Sequence, residues 1–94
     1  MSQETKKHGL RIDKWLWFAR FFKTRALAHK NVVNGHIRIN GYHIQDPAKL
    51  LKVGDILTIV LSHDIKVICV EQLGSRRGPA VEAVTLYRIL HPEE

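Results

Sequence analysis

Apolar positions follow a helical period near the start of the chain. In RIDKWLWFARFF, residues 11–22, a repeat of 3.6 residues places one set of side chains on an arc that can face a core, which predicts a first helix. That set is Ile12, Trp15, Leu16, Ala19 and Phe22. Trp17, Phe18 and Phe21 fall outside the arc, and we expect them either to pack beneath other elements or to form an exposed patch.

A second helix is predicted for RALAHKNVVN, residues 25–34. Thr24 precedes it, and its hydroxyl can accept a hydrogen bond from a backbone N–H that has no partner within the helix. Gly35 follows it, and glycine readily adopts the left-handed conformation that commonly ends a helix. The two helices are therefore expected to meet at a very short corner.

The alternating segment HIRINGYHI, residues 36–44, predicts a β-hairpin, because Asn40-Gly41 suits the positive φ angles of a two-residue turn. The face expected to cover a core carries Ile37, Ile39, Tyr42 and Ile44, and the opposite face carries His36, Arg38 and His43. One side of the hairpin is thus expected to be apolar and the other cationic or polar.

The rest of the chain predicts a small sheet and a final helix. QDPAKLLKVGD (45–55) is a loop that can hold one helical turn, and ILTIVL (56–61) and IKVICVEQL (65–73) are strands. GSRRGP (74–79) is expected to be a flexible basic loop, and AVEAVTLYRIL (80–90) a helix. Cys69 lies in an apolar run, so we expect its thiol to be buried and inert.

Length and composition are those of one small globular domain. The chain has 94 residues, 45% hydrophobic and 26% charged, which predicts a domain over residues 10–94 after a basic, flexible arm at residues 1–9. No apolar run reaches the roughly 18 residues of a membrane span. MSQETKKHGL lacks the apolar core of a secretion signal, so we expect a cytoplasmic protein with no membrane partner.

The net charge of +6 is concentrated in one half of the chain. Residues 1–40 carry nine lysines and arginines and two acids, which gives +7, whereas residues 41–94 carry six and seven, which gives −1. A basic half joined to a nearly neutral half indicates a positive face directed at a polyanion.

Motifs of catalysis and metal binding are absent from the sequence. It has no glycine-rich phosphate loop, no G-x-S-x-G, no H-E-x-x-H and no pair of cysteines. Its six histidines show no ligand spacing, and the adjacent residues of SHD (62–64) cannot adopt the geometry of a catalytic relay. We therefore expect no catalytic residues, no metal site and no cofactor.

The cationic residues around the corner point to phosphate binding. Lys23, Thr24 and Arg25 lie at the predicted N-terminus of the second helix, where free N–H groups and the helix dipole attract anions. The residues expected to extend this site into a track are Arg11, Lys14, Lys30 and Arg38. Binding by such a track would weaken steeply with salt. The alternative is that the corner residues are only a solvated surface.

The segment RIDKWLWFARFFKTRALAHKNVVNGHIRINGYHI resembles the RNA-binding domain named after the fourth small-subunit ribosomal protein, the S-four domain, over roughly residues 10–60. This resemblance implies an α+β fold: two short helices and a hairpin, the alpha-L motif, continue into a small, mostly antiparallel sheet with a C-terminal helix. DKWLWFARFFKTRALA and RRGPAVEAVTLY are similar to the bacterial ribosome-associated heat-shock subfamily. Members of that subfamily bind RNA. They also bind those free large ribosomal subunits that still carry a blocked nascent chain on tRNA.

The resemblance also implies which residues contact RNA. They are Arg11, Lys14, Lys23, Thr24, Arg25, Lys30 and Arg38, with Arg20, His36 and Asn40 as further candidates. Asp13 is expected to orient a neighbouring arginine, such as Arg25, rather than to touch RNA. The implied partners are structured RNA, ribosomal RNA before tRNA, and the large ribosomal subunit. The subfamily usually continues into a long basic extension, whereas this sequence ends at ILHPEE, so any ribosome binding by that extension would be missing.

The sequence thus predicts a non-catalytic protein that binds structured RNA, with two alternatives. The helix-corner-helix segment is also compatible with a DNA-binding helix-turn-helix. The aromatic residues outside the helical arc, Trp17, Phe18 and Phe21, are compatible with a protein-interaction module.

Overall fold

The computed structural model describes residues 9–91, which form a helical layer packed on a sheet. The helices are α1 (Ile12–Phe18), α2 (Arg25–Val33) and α3 (Ala80–Ala83), followed by a 3₁₀ turn (Val84–Leu86). The strands are β1 (Leu10–Arg11), β2 (Ile37–Ile39), β3 (Tyr42–Ile44), β4 (Leu50–Leu51), β5 (Ile56–Leu61), β6 (Asp64–Val70) and β7 (Tyr87–Ile89). The predicted α+β class is confirmed.

All strand pairs are antiparallel. Five strands form one sheet in the order β3-β2-β5-β6-β7, and β1 pairs separately with β4. The predicted loop 45–55 therefore contains a short strand. β4 holds the loop against the chain just before α1 by pairing with β1, and the Ile12 N–H at the start of α1 donates to the carbonyl of Lys49 at 2.9 Å.

Both main helices end in the same hydrogen-bonded motif. After α2, the N–H groups of Gly35 and His36 donate to the carbonyls of Val32 and Asn31, and Gly35 has the predicted positive φ of 81°. Helix α1 ends at Phe18, four residues earlier than predicted, because Arg20 takes the equivalent left-handed position with a φ of 65°. The corner between the helices is correspondingly longer than the sequence indicated.

The predicted N-cap of α2 is confirmed, since the Thr24 hydroxyl accepts a hydrogen bond from the N–H of Leu27 at 3.0 Å. The corner therefore ends at a defined residue. This cap fixes where the first turn of α2 begins.

The predicted hairpin register is confirmed, and Asn40 and Gly41 have φ angles of 51° and 85°. One expectation for its apolar face is wrong. Tyr42 is 77% exposed, because β3 is the edge strand and its first residue extends beyond the core that α1 and α2 cover. Ile37 and Ile39, on the neighbouring strand, are buried as expected.

The core lies between α1, α2 and one face of the sheet. The predicted apolar arc of α1 is buried, except that Phe22 follows the helix and is half-buried. Phe18 is also buried, and Trp17 and Phe21 are half-buried against the same core. The aromatic residues outside the arc thus pack beneath other elements instead of forming an exposed patch.

The predicted helix over residues 80–90 is wrong beyond its first turn. Its apolar stripe suggested a helix, but Tyr87, Arg88 and Ile89 pair with β6. Pairing satisfies the backbone groups along that side of β6. It also places the ring centroids of Tyr87 and Phe21 4.7 Å apart. Tertiary packing therefore overrides a weak local helical preference.

The basic loop at residues 74–79 is anchored, contrary to the expectation of a flexible segment. Arg77 donates to the carbonyls of Trp17 and Phe22, and Arg20 donates to the carbonyl of Gly78 at 2.7 Å. Cys69 is buried, as predicted. The arm predicted for residues 1–9 lies, except for Gly9, outside the described residues, and the domain boundaries stay a prediction.

Within residues 9–91, none of the helices has the length and apolar character needed to cross a bilayer.

The hairpin turn yields a stability prediction. The Asn40 side chain donates to Asp55 at 3.1 Å and accepts from the N–H of Ile56 at 2.9 Å. Asn40→Ala removes both hydrogen bonds and leaves a side chain less suited to positive φ, so we expect a loss of about 2 kcal/mol in the free energy of unfolding. Urea denaturation measures the change. Asn34→Ala, at an exposed position with a φ of −79°, is the matched control, and equal losses in the two variants would contradict the prediction.

Candidate nucleic-acid interface

A buried carboxylate gathers cationic side chains on the helical side of the molecule. Asp13 is only 2% exposed, and both of its oxygens accept hydrogen bonds from Arg11, at 3.1 Å from Nε and 3.0 Å from Nη2. Arg25 Nη2 lies 3.5 Å from one oxygen, and His29 Nδ1 lies 3.5 Å from the other. The expected contact of Asp13 with Arg25 is therefore present, and Arg11 makes a closer one. We call Arg11, Asp13, Arg25 and His29 the Asp13 cluster.

The sequence produces this cluster through local geometry. Asp13 lies in the first turn of α1, where the helix dipole favours a carboxylate. Arg25 and His29 are four residues apart in α2, so they share one face of that helix. Because α1 and α2 pack together, that face is brought to Asp13, and the cluster lines a shallow depression with Ala26. His29 was not among the sequence candidates, although its helical spacing from Arg25 was a usable signal.

Opposing effects act on the Asp13 carboxyl. Burial alone would raise the pKa of Asp13, but the hydrogen bonds and charge of Arg11, followed by Arg25 and His29, lower this pKa below its ordinary value. The hydrogen bond and charge of Asp13 in turn raise the pKa of Arg11. Both groups are therefore ionised at neutral pH. The arginine side chains are more than two-fifths exposed, whereas the Asp13 side chain is buried. The cluster therefore presents cations, and not its carboxylate, to solvent.

The corner before α2 presents Lys23, Thr24 and Arg25, all exposed. The hydroxyl of Thr24 accepts from the N–H of Leu27 and thereby caps α2. The N-terminus of α2 and its dipole lie beside Arg25 and hence beside the Asp13 cluster. Arg25 thus connects the exposed corner with Arg11 through the shared carboxylate of Asp13.

Arg77 anchors the backbone of this corner through hydrogen bonds. Its Nη1 donates to the carbonyls of Trp17 at 2.5 Å and Phe22 at 3.1 Å, and its guanidinium lies 5.5 Å from the centroid of the Trp17 ring. Burial and, secondarily, the charge of Arg20 lower the pKa of Arg77 from its usual value. Sequence reasoning missed this contact because the two segments are about 55 to 60 residues apart.

The other lysine and arginine candidates are distributed more widely. Lys14 Nζ lies 5.8 Å from the Phe18 ring centroid, and Lys30 lies on the outward side of α2, opposite the buried Ala28 and Val32. Arg20 is fixed by the Gly78 carbonyl at the end of α1.

Arg38 lies on the far face of the sheet. It alternates with the buried Ile37 and Ile39 and has His43 and Thr58 as its neighbours across the strands. The sheet therefore separates Arg38 from the Asp13 cluster. The candidates do not join into one track.

His36 and Asn40 have internal partners. His36 Nδ1 lies 2.8 Å from the side-chain oxygen of Asn31, and the amide of Asn40 bridges Asp55 and the backbone of Ile56. These contacts give both residues a structural role. A role in RNA binding stays a prediction for all ten candidate residues.

Within the described residues, no group of three or more His, Cys, Asp or Glu side chains is arranged to hold a metal ion.

The Asp13 cluster yields a prediction about acid stability. Since the pKa of Asp13 is lower in the folded protein than its ordinary 3.8, the stability it contributes is complete above that value and is lost as the pH falls through the lower folded value. Asp13→Asn is therefore expected to destabilise the protein at pH 7 and to flatten the fall in stability below about pH 4. Thermal denaturation across this range measures both effects.

The matched control for this experiment is Asp64→Asn, because the Asp64 side chain is 59% exposed and contacts only Lys66 among the ion pairs of residues 9–91. We expect it to follow the parent curve. An Asp13→Asn curve that kept the parent's acid-dependent loss would contradict the prediction.

Comparison with known proteins identifies a family that the chain matches. The model of the S4 domain, the S-four domain described above, matches residues 10–57. This range includes both main helices, the hairpin and the whole Asp13 cluster.

Individual relatives agree with the family match. Heat shock protein 15 of Escherichia coli is 40% identical over 78 residues, which are 83% of this chain and 58% of that protein. Small ribosomal subunit protein uS4 of Xanthobacter autotrophicus is 32% identical over 73% of this chain and 35% of its own length. The present chain thus spans less than two thirds of the length of these relatives.

Among solved structures, heat shock protein 15 of Vibrio cholerae, described as trimeric, superimposes with a TM-score of 0.83. It is 41% identical, and the match covers 87% of this chain and 82% of that one. The chain therefore belongs to the S4 domain family and is a relative of bacterial heat shock protein 15.

Proposed function

We propose that the protein binds structured RNA in the cytoplasm, ribosomal RNA in the first place, and that it acts by binding rather than by catalysis. The observation that carries this proposal is the Asp13 cluster, in which Arg11, Arg25 and His29 surround one buried carboxylate beside the exposed corner of α2. The S4 domain match and the ribosomal relatives support RNA as the polyanion.

The cluster would bind phosphate through preorganised donors. Arg11 uses Nε and Nη2 to contact Asp13, which leaves donors on the outward edge of its guanidinium. Arg25 is held more loosely, at 3.5 Å, and can reach outward from the first turn of α2. Because Asp13 restricts both side chains before RNA arrives, less conformational entropy is lost on binding.

Charge balance favours an anion at this surface. One carboxylate faces two arginines and a histidine, so the cluster keeps a positive charge even when His29 is neutral. Lys23 adds a further cation next to it along the chain. Contacts of this kind position a folded RNA by its phosphates and shape, with limited reading of bases.

We further propose that the natural RNA belongs to the large ribosomal subunit and that binding serves stalled ribosomes under stress. The relation to heat shock protein 15 supports this narrower proposal. Cosedimentation with purified large and small subunits tests it. Equal binding to both subunits, or binding to neither, would contradict it while leaving RNA binding as a separate question.

The corner yields a prediction about RNA affinity. Lys23→Ala removes an exposed cation, so we expect weaker binding to purified ribosomal RNA and a salt dependence shallower by about 0.7 to 0.9 in the slope of log K against log salt. Arg25→Ala should show the same slope change and a larger loss of affinity, because it also loosens the Asp13 cluster. Fluorescence anisotropy over a salt series measures both quantities, and circular dichroism checks the fold.

The matched control is Arg88→Ala, which removes one charge from β7, where the side chain contacts Glu71 on the far face of the sheet. We expect it to keep the parent slope. Equal salt slopes and affinities in all four proteins would refute the proposed interface. Stronger competition by duplex DNA than by RNA would favour the helix-turn-helix alternative.

A further inference from the structure

A second depression lies beside the hairpin, and none of the residues that line it belongs to the Asp13 cluster. It has a volume of about 300 Å³, near the lower end of the range for ligand clefts. The residues that line it are Ile39, Asn40, Tyr42, Ile44, Lys49, Leu50, Lys52 and Asp55. An exposed aromatic ring, apolar side chains and two lysines are thus brought together in one place.

Tyr42 is the unusual member of this group. Its side chain is on the same face of the hairpin as the buried Ile39, yet it is 77% exposed. The backbone beneath it is firmly held, because the Asn40 side chain bonds both Asp55 and the backbone of Ile56. A large aromatic ring is therefore presented to solvent on a fixed support, where its face is available for stacking.

The charges around the ring favour an anionic ligand. Lys49 and Lys52 are both exposed at the depression. The carboxylate of Asp55 accepts hydrogen bonds from the Asn40 amide and from the backbone N–H of Lys52, so it is occupied in holding the loop. Two lysines and one aspartate leave the depression with a net positive charge.

This depression adjoins the Asp13 cluster. Arg11 and Leu50 are directly paired between β1 and β4, so their side chains leave the same face of that two-stranded ladder. Leu50 lines the depression, and Arg11 belongs to the cluster. Lys49 is tied to the start of α1, where Ile12 N–H donates to its carbonyl at 2.9 Å.

We propose that this depression is a binding site for one unpaired nucleobase of the bound RNA, with the base stacked on Tyr42 and the flanking phosphates contacted by Lys49 and Lys52. The inference rests on the proposed RNA-binding function and adds to it a preference for RNA with unpaired bases. A planar base has the flat apolar face that an exposed tyrosine ring stacks on, and its backbone carries the charge that the lysines attract. A paired base within a duplex cannot offer that face.

The test compares two fluorescein-labelled RNAs that share a stem sequence, one closed by an unpaired loop and the other a blunt duplex. Tyr42→Ala is expected to weaken binding of the looped RNA about tenfold, with little change for the duplex. The salt slope should not change, because no charge is lost. Tyr42→Trp keeps an aromatic face and should restore the affinity for the looped RNA.

Two further variants separate stacking from other effects. Val81→Ala truncates another residue that is 77% exposed, outside the depression, and should bind both RNAs as the parent does. Lys52→Gln should reduce the salt slope for the looped RNA by about 0.7, the value for one phosphate on a single strand.

Failure of this inference is distinguishable from failure of the proposed function. Parent-like binding of both RNAs by Tyr42→Ala, in a setting where Arg25→Ala binds weakly, would overturn the base site alone. The base site would also be overturned if Tyr42→Ala weakened the binding of both RNAs equally. If Arg25→Ala and Lys23→Ala also bound like the parent, the proposed interface at the Asp13 cluster would be refuted. Failure of the parent protein to bind either RNA would refute the RNA-binding function itself.

Discussion

The arrangement of the candidate interface depends on one buried carboxylate. An ionised Asp13 at 2% exposure would be strongly unfavourable without partners, so folding requires Arg11 to close on it and Arg25 and His29 to approach it. This requirement links the strand before α1, the first turn of α1 and one face of α2. The cations that satisfy Asp13 are also those left at the surface, so the same interaction contributes to stability and shapes the proposed site for anions.

The part of the chain beyond the S4 match acts as a support for this site. Arg77 bonds the carbonyls of Trp17 and Phe22, and Tyr87 packs on Phe21, so the corner before α2 is held from both its backbone and its side chains. Arg20 occupies a left-handed position where glycine would be less strained, and its bond to Gly78 compensates in part. The C-terminal segment thereby fixes the corner that presents Lys23.

Local signals in the sequence predicted the local features well. Thr24, Gly35 and the Asn40-Gly41 turn occupy the expected conformations, because caps and tight turns depend on a few adjacent residues. The same reasoning failed where contacts between segments distant in the sequence determine the structure. The helical stripe at the end of the chain gave way to pairing with β6, and the contacts of Arg77 had no local signal. The Asp13–Arg25 contact was expected from the family resemblance, whereas Lys49 and Tyr42 became candidates only once the hairpin and loop were seen together.

The sheet also limits how one RNA can meet the cationic residues. The Asp13 cluster and Tyr42 lie on its helical side, whereas Arg38 lies on the far face of the same hairpin. To contact Arg38 as well, an RNA docked on the cluster would have to pass around the hairpin, because the sheet lies between the two. β3 is the edge of the sheet, so the path passes Tyr42. An unpaired strand bends around such an edge more easily than a stiff A-form helix, which favours unpaired nucleotides for any contact with Arg38.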